Sequence, residues 1–62
     1  MSDQKKNPLA LIVDDDGVMR LLARAALEGS GWDVEEAENG RDALSAFQRL
    51  HPDVVLLDVM MP

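Results

Sequence analysis

Two short apolar runs, each closed by aspartate, constrain this chain more than any other feature. Leu9-Ala10-Leu11-Ile12-Val13 leads into Asp14-Asp15-Asp16, and Val54-Val55-Leu56-Leu57 leads into Asp58. Neither run alternates with polar residues. An unbroken apolar run of this length, bounded by turn formers, suits a strand buried on both faces. Strands of that kind belong to parallel sheets covered by helices. The chain is therefore expected to be α/β, provided helices lie between the runs.

They do. After Asp14-Asp15-Asp16-Gly17, whose carboxylates suit an N-cap, Val18, Leu21, Leu22, Ala25 and Ala26 recur at helical spacing. That stripe is expected to face the core; it is too short for a coiled-coil seam. Arg20 and Arg24 lie one turn apart on a more polar side. Gly29-Ser30-Gly31 stops the helix. Trp32 to Ala37 partly alternates and reads as an edge strand, with Trp32 half-buried against a helix. Glu38-Asn39-Gly40 reads as a turn, and Arg41 to Leu50 as a second helix with Ala43, Leu44, Phe47 and Leu50 as its apolar stripe. His51-Pro52 breaks it, and His51 is a surface loop residue. The order is strand, helix, strand, helix, strand, with parallel pairing through crossover helices. Residues 1–8 read as a polar, flexible leader, and residues 9–62 as one structural unit.

A chain of 62 residues buries only about 60% of the surface its unfolded form exposes, so its core is marginal. There are no cysteines, which excludes disulfides and thiolate metal sites. Carboxylate-bound metal and oligomerisation remain as sources of added stability. Twelve acids against six bases give a net charge of −6. With no basic stripe, direct nucleic-acid binding is not expected. No stretch approaches a membrane span, and the N-terminus lacks the apolar core of a signal peptide. A soluble, cytoplasmic protein is the default expectation.

The positions of the acids carry the functional information. In a parallel sheet the ends of the first and third strands lie on one edge. If the second strand pairs on the far side of the first, the order is 2-1-3, and the first and third strands are neighbours. Ligands in open α/β sheets bind at such a switch point. Asp14, Asp15 and Asp58 would then crowd together and repel one another, a repulsion that a divalent cation relieves. Magnesium takes a few carboxylates, several waters and a phosphate oxygen. One carboxylate can also act as a nucleophile toward a phosphoryl group. The plainer alternative is that these acids only cap strands and helices and keep the surface soluble.

Three segments add a resemblance. Leu11 to Asp16 followed by Arg20, then Val34 to Gly40 with Ala43-Leu44, then Pro52 to Pro62 resemble, in order and spacing, the receiver domain of two-component response regulators. The resemblance implies a flavodoxin-like half-domain, βαβαβ with parallel order 2-1-3. It also implies residue roles. Asp58 matches the aspartate that accepts a phosphoryl group from a histidine kinase. Asp14 and Asp15 match the acidic pair of the Mg2+ site, with Asp15 the more direct ligand. Met60 matches the position whose backbone carbonyl completes the metal shell, and Pro62 the proline closing the loop. Asp16 is expected to be a cap or a solvated residue. The chain is expected to act as a signalling module and not as an enzyme.

The same resemblance leaves a gap. A complete receiver is longer; its second half supplies a hydroxyl residue after the fourth strand and a lysine after the fifth, and neither can be assigned here. The third strand is then expected to expose an apolar edge, inviting a homodimer through that strand or completion by a second half. A half-domain that dimerises without signalling is the alternative reading.

Overall fold

A computed structural model describes residues 7–57. Strand β1 (Leu9–Val13) is followed by helix α1 (Gly17–Gly29), strand β2 (Asp33–Ala37), helix α2 (Gly40–Leu50) and strand β3 (Val54–Leu57). The sheet order is β2-β1-β3 and both pairings are parallel. This is the expected partial flavodoxin-like arrangement. Among the described residues no helix is long and apolar enough to cross a membrane.

Local chemistry sets the element boundaries. Asp16 caps α1, its Oδ1 accepting from the Val18 and Met19 amides at 2.9 and 3.4 Å. Asn39 caps α2 through the Asp42 amide at 2.8 Å, and Gly40 is the first helical residue rather than the end of a turn. Gly31 has φ 91°, a left-handed turn that glycine adopts without strain, and it ends the α1 overrun. Trp32 precedes β2 and donates its amide to the Leu27 carbonyl at 3.0 Å. His51 ends α2 in the left-handed region, φ 52° and ψ 61°.

The central strand is the core. Ala10, Leu11, Ile12 and Val13 are all buried, as a strand covered on both faces must be. Leu11 and Val13 pack with Ala37 and Ala46, flanked by Ala43, Leu50 and Val55. That is the α2 side. Residues paired in register project to the same side of a parallel sheet, and alternation puts their neighbours on the other. Ala10 pairs with Val34 and Ile12 with Glu36, so these four share the face that α1 covers.

Two sequence expectations about packing are corrected. The Val18, Leu21, Leu22 stripe of α1 is not core: these side chains are 64%, 62% and 59% exposed. The partly buried positions of α1 are Arg20, Ala23, Arg24 and Leu27, so Arg20 and Arg24 face the sheet. In α2, Ala43 and Leu50 pack inward with Ala46, whereas Leu44 and Phe47 are exposed. The cause is placement. Among the described residues both helices pack on β1 and β2, and neither packs on β3. The apolar flanks of the helices therefore meet no protein surface among the described residues. Strand β3 shows the same effect: Val54 and Val55 are half-buried, while Leu56 and Leu57 are exposed, as expected of an uncovered edge.

Candidate functional site

The three consecutive aspartates after β1 have three different fates. Asp14 is pinned. Its amide donates to the Ala37 carbonyl at 3.1 Å, extending the β1–β2 ladder by one rung. Its carbonyl accepts from Arg20 Nη1 at 2.8 Å, and its Oδ1 accepts from the Asp16 amide at 2.9 Å. Asp16 is committed to the α1 cap. Asp15 is exposed and makes no side-chain hydrogen bond or ion pair among the described residues. This division agrees with the expectation that Asp16 is a cap.

Two further acids lie at the other end of the strands. Asp53 closes the β1–β3 ladder, its Oδ2 accepting from the Leu9 amide at 2.7 Å while its own amide donates to the Leu9 carbonyl at 2.8 Å. Asp33 donates its amide to the Pro8 carbonyl at 2.8 Å and accepts from Asn7 Nδ2 at 3.3 Å. These acids terminate strands, and five residues of β1 separate that edge from Asp14, roughly 15 Å. The carboxylates after Val13 thus stand apart from the rest.

Beneath α1 lies a charged cluster that the sequence reading missed. Arg20 Nε donates to Glu36 Oε1 at 2.9 Å, and Arg24 Nη1 to Glu36 Oε2 at 2.6 Å. Arg24 Nε also reaches Glu28 Oε2 at 3.0 Å, one turn along the helix. Glu36 occupies the sheet face that α1 covers, and its half-buried carboxylate is paired there with two arginines. Hydrogen bonds from Arg24 and then Arg20 hold the Glu36 carboxyl below the usual carboxylate range. The contacts to Glu36 and Glu28 raise Arg24 in turn. Two signals in the sequence could have found the cluster. Arg20 and Arg24 have i, i+4 spacing, and Glu36 has the same strand parity as Val34.

Carboxylate oxygens are the hard donors that magnesium prefers. Among the described residues Asp15 has both oxygens open, and Asp14 keeps one oxygen without a donor. Among the described residues no group of three His, Cys, Asp or Glu side chains is assembled for a metal. The remaining expected members, Asp58 and the Met60 carbonyl, lie outside the described residues, as does Pro62. The donor chemistry at Asp14 and Asp15 fits magnesium as far as it extends.

An open parallel sheet in the order 2-1-3, with acids following the central strand at the switch point, defines an α/β fragment built around a carboxylate edge. The chain belongs to the response regulator receiver domain family, which it matches over residues 10–62. Receivers are signalling modules. The chain is 44% identical over 52 residues to the transcriptional regulatory protein TrcR of Mycobacterium tuberculosis, covering 84% of this chain and 20% of that protein. It is 48% identical over 52 residues to the response regulator MprA of Mycolicibacterium vanbaalenii, covering 84% and 22%. It is 42% identical over 53 residues to the chemotaxis protein CheY of Thermotoga maritima, covering 84% and 44%. The chain thus spans less than half the length of each of these relatives.

Proposed function

We propose that Asp58 is the phosphoacceptor of this receiver segment and that Asp14, Asp15, Asp58 and the Met60 carbonyl form its Mg2+ site. One observation carries the reading. Val13 and Leu57 are register partners in adjacent parallel strands, and the residues that follow them in the sequence are Asp14 and Asp58. Asp15, exposed and uncommitted, supplies the carboxylate most open to a cation.

The phosphoryl donor in this reading is a histidine kinase phosphorylated on its imidazole. An Asp58 carboxylate oxygen forms the new O–P bond as the P–N bond breaks. The electron pair leaves with the imidazole nitrogen, which takes up a proton. Bound magnesium would neutralise charge on the transferring phosphoryl oxygens. The chain's own contribution is to hold Asp14 rigid through three hydrogen bonds, so that the acids are oriented before the donor arrives.

The test is labelling by a small acyl phosphate with magnesium, comparing the native chain, Asp58→Asn and a chelator control. Label on the native chain alone is the expected result. Label retained by Asp58→Asn refutes the assignment.

A second reading has its own support. Leu56 and Leu57 are exposed on β3, and neither helix packs on that strand. Self-association through β3 would pair its open backbone edge and extend the sheet. A monomer at all concentrations in sedimentation equilibrium would refute the homodimer.

A further inference from the structure

The Arg20 guanidinium joins the acidic loop to strand β2 beneath α1. Its Nη1 donates to the Asp14 carbonyl at 2.8 Å and its Nε to Glu36 Oε1 at 2.9 Å. The side chain is only 17% exposed. We infer that Arg20 is a positioning residue for the cation site, fixing the Asp14 backbone so that the Asp15 carboxylate is presented outward. The inference rests on the magnesium reading above and assigns to Arg20 a role in that site's affinity.

With its amide bonded to Ala37 and its carbonyl bonded to Arg20, Asp14 is held on both sides of its α-carbon. The peptide that follows is thereby aimed, and Asp14 Oδ1 closes the turn onto the Asp16 amide at 2.9 Å. Only a planar fork can hold a carbonyl and a carboxylate through two different nitrogens at once; lysine offers a single ammonium. Charge is handled in the same cluster. Arg20 and Arg24 face Glu36 and Glu28, two cations against two anions. The positive charge of Arg20 is balanced locally, and the loop keeps its negative field for a cation. Groups that orient metal ligands without touching the metal typically change affinity by about 10-fold or more when removed.

Arg24 provides the control. It binds the same glutamate through the shorter contact, from the same helix, and its other partner among the described residues is Glu28, not the acidic loop. Magnesium affinity of the 62-residue chain is measured by calorimetry for the native chain, Arg20→Met, Arg20→Lys and Arg24→Met. Exchange of the Asp16 amide is followed in metal-free buffer. Arg20→Met removes a cation from beside acids, so electrostatics alone predicts tighter magnesium binding; positioning predicts binding about 10-fold weaker. Weaker binding and faster Asp16 exchange in both Arg20 variants, with Arg24→Met changed in neither, is the expected result. Tighter or unchanged binding in Arg20→Met overturns the inference, as do equal shifts in Arg20→Lys and Arg24→Met. Should Arg20→Met fail to fold, Arg20→Lys, which keeps the stem and the charge, decides by the same criteria. Should the native chain bind no magnesium, the metal reading fails by itself, and Asp16 exchange alone decides whether Arg20 positions the loop.

Discussion

Leu11→Ala and Leu22→Ala, made side by side, test where the core of this chain lies. Leu11 is 1% exposed on the central strand, whereas Leu22 is 59% exposed on α1. Truncating a buried leucine to alanine loses about 2.4 kcal/mol of transfer free energy at ~0.8 kcal/mol per methylene. The cavity left between β1 and α2 raises this to about 3–5 kcal/mol, because Val13, Ala37 and Ala46 are small neighbours that cannot close it. A chain of 62 residues has a total stability of about 3–9 kcal/mol. Leu11→Ala thus removes a third of it or more. Leu22 buries about two fifths of its side chain, which corresponds to ~1 kcal/mol, and alanine returns a few tenths through helix propensity. Urea unfolding followed by circular dichroism reads the difference. With a slope of about 1 kcal/mol per molar, Leu11→Ala shifts the midpoint by about 3 M or abolishes the transition, and Leu22→Ala by less than about 1 M. Equal losses would refute the reasoning, since they would mean that the outer face of α1 is covered in solution. A midpoint that rises with protein concentration would then identify self-association as the cover.

Three other outcomes are expected. The Glu36 carboxyl is held below its ordinary value of 4.5 in the folded chain, so its contribution to stability is present above that pH and lost as pH falls through the lowered value. Urea midpoints at pH 7 and pH 3 should show Glu36→Gln less stable than the native chain at neutrality, with the two converging in acid. His51 holds a left-handed conformation that costs a β-carbon about 1 kcal/mol. His51→Gly should therefore be neutral to stabilising, by up to about 0.5 kcal/mol after the entropy glycine loses on folding, and a lower melting temperature would contradict this. Asp15→Asn should leave the fold intact and raise stability in chelator-treated buffer by up to about 0.5 kcal/mol, about 2–4 °C for so small a chain. It should also weaken magnesium binding in calorimetry; unchanged affinity would remove Asp15 from the site.

Much of the fold and part of the site can be read from local chemistry. Leu9 to Val13 has no polar residue to turn toward water, so burial on both faces and a central place in the sheet follow from the sequence. The caps at Asp16 and Asn39, the glycine turn at Gly31 and the break at His51-Pro52 are local as well, each involving residues only a few positions apart. The parallel order 2-1-3 is in keeping with the more polar β2 at an edge, beside the wholly apolar and central β1. The acids after Val13 are likewise visible in the sequence, and the proposed site is built on them.

Tertiary structure decided which side of each helix meets the sheet and what each acid does. An amphipathic pattern shows that α1 has an apolar side, but not whether a surface waits for it. Here α1 lies over β1 and β2, and the face it covers carries Glu36 beside Ile12, Ala10 and Val34. The half-buried Glu36 carboxylate pairs with cations from the helix: Arg20 and Arg24 turn inward while Leu21 and Leu22 stay in solvent. The same contact ties Asp14 to Arg20. No spacing rule in the chain joins positions 14, 20 and 36, because their meeting depends on where the strand and the helix come to lie.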